Sequence, residues 1–217
     1  SDRGYRPTAS VPWLSVKLLK PQNIVEMLAH GSRDLGFAGA DWVAELQADV
    51  VELLDTGLDP VRVVAAAPEE LLVGGALPAG PLRIASEYAR LTQGWIERQG
   101  LDATLVHSYG ATEVFPPEDA DLIVDNTATG STLRANGLRI LDDVMSSSTR
   151  LYACPASLED PAKRERIDQL VLLVRSVLEA RSRAMVEVNV APEQLDAVIA
   201  VLPCMREPTV SPLYRET

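Results

Sequence analysis

An α/β fold in two lobes is what this sequence predicts, and three observations carry that expectation. Short apolar runs, VVAAA at residues 63–67 and LIV at 122–124, have the length and branching of buried strands and alternate with segments of helical periodicity. Residues 68–80 place three glycines and two prolines among apolar side chains, which reads as a crossing between lobes. Residues 120–138, ADLIVDNTATGSTLRANGL, run from apolar strand through an acid and a small hydroxyl-rich loop into a helix start.

Composition limits the function classes. With 217 residues there is length for one or two compact domains with a core. A net charge of −11 argues against nucleic acid or an anionic membrane as the main partner, since both require a basic surface. No run of about 18 apolar residues suggests a membrane span, and the opening SDRGYRPTAS has no apolar core of a secretory signal. The two cysteines, Cys154 and Cys204, are far apart and lack metal-ligand spacing, which reads as two reduced thiols in a cytoplasmic protein.

The elements follow in order. Residues 1–12 read as loop, with Arg3 and Arg6 among the few basic residues near the start, and 14–18 alternate like a strand. Pro21 opens a helix running to His30, where a cation favours the last turn, and Gly31 stops it. Residues 35–38 form a short strand, and a Gly39-Ala40-Asp41 bend leads into a helix over 42–46 with Asp41 as its N-cap. Residues 50–54 and 61–67 read as two further strands, the second nearly all apolar and so central. Beyond the crossing come a strand at 82–85 and a helix from Glu87, capped by Ser86 and ending before Gly100, with Leu91, Trp95 and Ile96 as its buried stripe. A strand at 103–107 leads to the loop SYGATE, which ends in Glu113. Residues 138–154 read as two strands, and 161–183 as an amphipathic helix whose apolar spacing serves packing. Alternation at 185–190 predicts a strand, followed by a helix to Leu202.

The loop over residues 126–132 is open to two readings. Thr and Ser cap helices, so it reads as a plain strand-to-helix turn. It also reads as an anion cradle. Small side chains let phosphate oxygens reach backbone N–H groups, while Asp125 is placed to accept bonds from sugar hydroxyls. The second reading points to a phosphorylated sugar.

The order of acid then TATGST, together with DLGFAGADWV (34–43), VVELLDTGL (50–58), RIASEY (83–88), GATEVFPPEDADLIVD (110–125), STRLYACP (148–155), VEVNVAPEQLDAVIAVLP (186–203) and PTVSPL (208–213), resembles the ATP phosphoribosyltransferases, the first enzyme of histidine biosynthesis. That resemblance implies a two-lobed core like the type II periplasmic binding proteins. Lobe I comprises residues 1–80 and 151–183, lobe II with the 5-phosphoribosyl-1-pyrophosphate (PRPP) loop comprises 81–150, and 184–217 begin a ferredoxin-like regulatory domain. It implies transfer of phosphoribosyl from PRPP to N1 of ATP in the cytoplasm, with Mg²⁺ held through the substrate rather than by direct protein ligands. Asp125 and Glu113 become the catalytic pair at the ribose. Asp125, Asn126, Thr127, Ala128, Thr129, Gly130, Ser131 and Thr132 bind PRPP, and Asp41, Glu87 and Tyr88 face the nucleotide. For Asp41 and Tyr88 the plain alternatives are a helix cap and a core tyrosine. The resemblance further implies a homo-oligomer, dimeric or hexameric, with histidine as feedback inhibitor. It also implies that the chain starts after the family's LPKGRL-type strand and loop and stops within the C-terminal domain. Other readings of the same residues are a two-lobed small-molecule binding protein, a phosphoribosyltransferase with another acceptor base, and a non-catalytic remnant that assembles with intact subunits.

Overall fold

The computed structural model describes residues 4–202 and 208–212. Arg3, Pro203, Cys204 and Leu213 lie outside the described residues. The chain divides into two compact units, residues 1–178 and 179–217.

The first unit is built on one mixed sheet of order β1-β6-β2-β5-β3-β4. Its strands are β1 (Leu35–Gly39), β2 (Val51–Pro68), β3 (Leu82–Ser86), β4 (Ala103–His107), β5 (Leu122–Thr127) and β6 (Leu138–Ala153), and its helices are α1 (Pro21–Ala29), α2 (Ala40–Leu46), α3 (Ala89–Gln99), α4 (Ser131–Ala135), α5 (Pro155–Glu159) and most of α6 (Pro161–Arg181). β3 runs parallel to both β4 and β5, so the C-terminal ends of these three strands lie along one edge. β2 is antiparallel to β5 and to β6, and β6 to β1.

The strands are fewer and longer than the sequence predicts. The runs expected at 50–54 and 61–67 fall in a single 18-residue β2, Val51–Pro68, and the two strands expected in 138–154 are a single 16-residue β6, Leu138–Ala153. The segment TGLDP that separates the two apolar runs of β2 is accommodated by register shifts against β6, with Gly57 and Asp59 at positive φ. A bulge absorbs residues that would otherwise end a strand. The alternating residues 14–18 join no ladder, and Leu18 and Trp13 remain about half exposed.

Successive side chains of a strand point to opposite faces, and two clusters show the division. On one face Val63, Ala65, Ala67, Ile84 and Val124 pack with Tyr88, Trp95 and Ile96 around α3. On the other Val64, Ala66, Ala85 and Ile123 pack with Leu133 of α4. A third cluster, Val25, Leu28, Ala38 and Tyr152, joins α1 to β1 and β6. His30 ends α1 as expected, its Nδ1 2.7 Å from the Glu26 carbonyl. The α6 stripe is less buried than its spacing suggests: Ile167 is buried, whereas Val177 is exposed.

The second unit contains the end of α6, a 3-10 turn at Pro192–Gln194 and α7 (Leu195–Val201). The strand expected at 185–190 is not formed. A strand needs a partner for its backbone groups, and among the described residues these have none. Among the described residues no helix is long and apolar enough to cross a membrane.

Candidate active site

The C-terminal ends of β3, β4 and β5 bring together three segments far apart in sequence: Glu87-Tyr88, Ser108 to Glu113, and Asp125 to Thr132. Open α/β sheets bind ligands at this kind of edge.

β5 extends three residues further than its apolar run, because Asp125, Asn126 and Thr127 still pair with Val64, Val63 and Arg62 of β2. Asp125 and Thr127 therefore face the α4 side, and Asn126 faces the α3 side. The loop proper is Ala128–Gly130. Thr127 is buried, and its Oγ1 accepts the Gly130 N–H at 2.9 Å. Thr129 Oγ1 donates to Ser131 Oγ at 3.0 Å and lies 3.4 Å from the Ser131 amide. These hydroxyls shape the turn. Gly130 adopts φ +71°, and a Cβ there would press on Arg134 Nη1 at 3.1 Å and on Ile140 Cδ1 at 3.2 Å. The position thus needs glycine for both conformation and space. Ala128, Thr129, Ser131 and Thr132 are exposed. Among the described residues the N–H groups of Ala128, Thr129 and Thr132 have no hydrogen-bond partner. The Arg134 guanidinium beside the turn has no ion-pair partner among the described residues either.

Asp125 is half-buried. Burial pushes its carboxyl up to about 6. The Asn126 amide, donating to Oδ1 at 2.7 Å, opposes the shift, as does the Thr112 hydroxyl, while the charges of Glu113 and Glu87 reinforce it. The charges of Glu113 and Glu87 therefore act on the Asp125 carboxyl. Glu113 sits on a 3-10 turn, Thr112–Val114, tied down by buried Thr112 and Ser108, whose hydroxyls are 2.8 Å apart.

On the opposite face, Asp41 and Tyr88 are buried, at 4% and 0% exposure. They offer no polar atom to a nucleotide in this structure, because those atoms are already engaged. Tyr88 donates to Asp41 Oδ2 at 2.6 Å, Ser147 donates to Asp41 Oδ1 at 2.6 Å, and Asn126 Nδ2 donates to Tyr88 Oη at 2.8 Å. The Asp41 amide in turn donates to Ser147 Oγ at 3.1 Å. Trp42 stacks on the Tyr88 ring at 4.6 Å between centroids. Burial and the Asp41 carboxylate push the Tyr88 phenol well above its usual range, so it remains a donor. Ser86 does not cap its helix directly. It donates to the Val124 carbonyl at 2.6 Å and accepts from the Tyr88 amide at 2.9 Å. The N-terminus of α3 is capped by Glu45 of α2, whose carboxylate accepts the Arg90 and Leu91 amides, each at 2.9 Å.

Sequence reasoning missed Ser147, Glu45, Thr112 and Arg134. Ser147 lies in an undistinguished SSS run and Glu45 inside a short helix, and neither carries a local signal of its distant partner. A cavity of about 480 Å³ lies elsewhere, lined by Trp95, Gln99, Arg139 and Asp142 among others, with none of the acids at the strand ends.

Comparison with known proteins gives the family of the chain. The family model described as ATP phosphoribosyltransferase matches residues 20–176, and the model for the HisG C-terminal domain matches 180–217. The chain belongs to the ATP phosphoribosyltransferase family. Among curated members, the Pelotomaculum thermopropionicum ATP phosphoribosyltransferase is 38% identical over 98% of this chain and 75% of its own length. That of Desulforudis audaxviator is 39% identical over 99% and 76%. A solved structure titled ATP phosphoribosyl transferase (HisG:HisZ) complex from Thermotoga maritima matches with a TM-score of 0.71 at 28% identity, covering 81% of this chain and 87% of that one. The family is one of pentosyltransferases and catalyses the first step of histidine biosynthesis.

Proposed function

We propose that the turn after β5 holds the 5′-phosphate of PRPP, and that Asp125 and Glu113 hold its ribose hydroxyls, while N1 of ATP attacks the anomeric carbon. The observation that carries this reading is the cluster of unengaged amides at Ala128, Thr129 and Thr132 beside half-buried Asp125. Preformed N–H donors meet a phosphate without reorganisation. Arg134 adds a positive charge next to the turn.

In the reaction the N1–C1 bond forms as the C1–O bond to pyrophosphate breaks, and the electron pair of that bond leaves with the pyrophosphate. Positive charge develops on the ribose ring, where carboxylates at its hydroxyls stabilise it. The rest of the protein's contribution is positioning. Among the described residues no group of three His, Cys, Asp or Glu side chains is arranged to hold a metal ion. The negative field of Asp125, Glu113 and Glu87 suits a cation that arrives on its substrate. Mg²⁺ bound in that way would supply positive charge to offset that of the pyrophosphate leaving group.

We further infer that residues 1–80 with 151–183 and residues 81–150 act as two lobes, with β2 and β6 running on from one to the other, and that the chain works as a cytoplasmic homo-oligomer. Feedback by histidine through the second unit is supported by the match of residues 180–217 to the family's C-terminal domain.

Gly130→Val tests the cradle. A β-branched residue in the left-handed region costs about 1–2 kcal/mol, and its side chain would meet Arg134 and Ile140. Calorimetry is expected to show loss of PRPP binding in a protein that still melts cooperatively. Unchanged PRPP affinity would remove the cradle.

A further inference from the structure

Asp125 and Asn126 are neighbours in β5 but face opposite sides of the sheet, and only Asp125 faces the proposed donor site. Asn126 points at Tyr88 and donates to its hydroxyl at 2.8 Å. That hydroxyl has its own proton committed to Asp41 at 2.6 Å, and Asp41 is fixed in turn by Ser147 of β6 at 2.6 Å. Three elements, α2, β6 and the start of α3, thereby converge on one amide at the end of β5. The inner part of the network is buried, at Tyr88, Asp41 and Ser147, while Asn126 itself is exposed. A buried carboxylate is tolerated only when its oxygens are satisfied, and both oxygens of Asp41 are. Trp42, adjacent to Asp41 in α2, stacks on the Tyr88 ring and fixes its plane.

Resting on the donor-site reading above, we propose that Tyr88 is a positioning residue for the PRPP turn, acting through Asn126 and held in place by Asp41 and Ser147. It does not touch the substrate. It fixes the Asn126 side chain, and with it the backbone at the end of β5 from which Asp125 and the 128–132 turn project. The Asn126 amide that donates to Asp125 Oδ1 belongs to the same residue. One residue therefore joins the network on one face to the acid on the other.

The variant that isolates this role is Tyr88→Phe, which keeps the ring, its burial and its stack on Trp42 and removes one oxygen. Hydrogen exchange of the free protein at the bonded amides within residues 126–134, those of Asn126, Gly130 and Arg134, is the first readout, and PRPP binding by calorimetry the second. Exchange in this segment is expected to rise at least tenfold, with PRPP affinity falling about tenfold, the size of one buried hydrogen bond. ATP affinity is expected to stay within about twofold, since the acceptor is not held by the turn. In the Asn126→Ala background, Tyr88→Phe is expected to add nothing to either readout: of the two bonds it breaks, the one that reaches β5 is already gone, and the one to Asp41 acts on the turn only through it. Full additivity of the two substitutions would overturn the proposal, as would unchanged exchange at 126–134 in Tyr88→Phe. Loss of global stability with both readouts unaltered would show a merely structural tyrosine and would likewise overturn it. Absence of PRPP binding in the unsubstituted protein would instead count against the donor-site reading, while the exchange measurement would still decide whether Tyr88 acts on the turn.

Discussion

Asp125→Asn is expected to make the protein more stable while disabling it. The ordinary aspartate value is 3.8, and in the folded chain burial and two neighbouring acids raise it to about 6. A group whose folded pKa lies above its unfolded one stabilises the fold below the unfolded value. That contribution is lost as pH rises through the folded value, so the cost is absent near pH 4, grows up to about pH 6 and is level above it. A shift of about two units corresponds to roughly 3 kcal/mol at full weight. Asp125 keeps some contact with water, and screening reduces the figure to about 1–2 kcal/mol. Asparagine retains an oxygen for the Asn126 amide, so that bond survives the change. Urea denaturation at pH 4 and pH 7.5 checks the reasoning: equal stabilities at the lower pH, and a variant more stable by about 1–2 kcal/mol at the higher. Pyrophosphate release from ATP and PRPP is expected to fall by about a hundredfold or more in the same variant. A variant less stable at pH 7.5, or one whose gain does not depend on pH, would refute the account of a carboxylate kept under strain for its ligand.

Two other substitutions probe the supports. Glu45→Ala leaves the Arg90 and Leu91 amides at the start of α3 without their acceptor and is expected to cost about 2–3 kcal/mol in urea denaturation, with Glu45→Gln costing less. Gly39→Ala would place a methyl group against Asp41 Oδ1. It is expected to displace that carboxylate from Ser147 and to reproduce the raised hydrogen exchange of Tyr88→Phe at residues 126–134, a result unchanged exchange would contradict.

Elements whose order is set locally could be read from the sequence. The α3 segment shows its helical stripe in Leu91, Trp95 and Ile96, and β3 and β4 are bounded by turn residues. Elements decided by distant partners could not. Residues 14–18 and 185–190 alternate as strands do, but alternation describes a surface and does not supply the neighbour that completes it. Gly57 and Pro60 read as a break, yet pairing with β6 carries the strand through them. At the site, small residues and an acid in a fixed order marked the turn, whose residues 128, 129, 131 and 132 are exposed. What the order could not reveal is that β5 continues to Thr127, which turns Asp125 and Asn126 to opposite sides. Hence Asp41 and Tyr88, expected beside the nucleotide, are buried on the α3 face, and Ser147, 106 residues from Asp41, had no visible link to either.

The alternation of β5 has a mechanical corollary. The carboxylate of Asp125 and the amide of Asn126 leave Cα atoms about 3.8 Å apart, joined by a rigid peptide plane. On the donor-site reading, a pull on the acid from one side would tilt that plane and reach the aromatic ring beneath the other. A single peptide plane separates the proposed pocket from the packing behind the sheet.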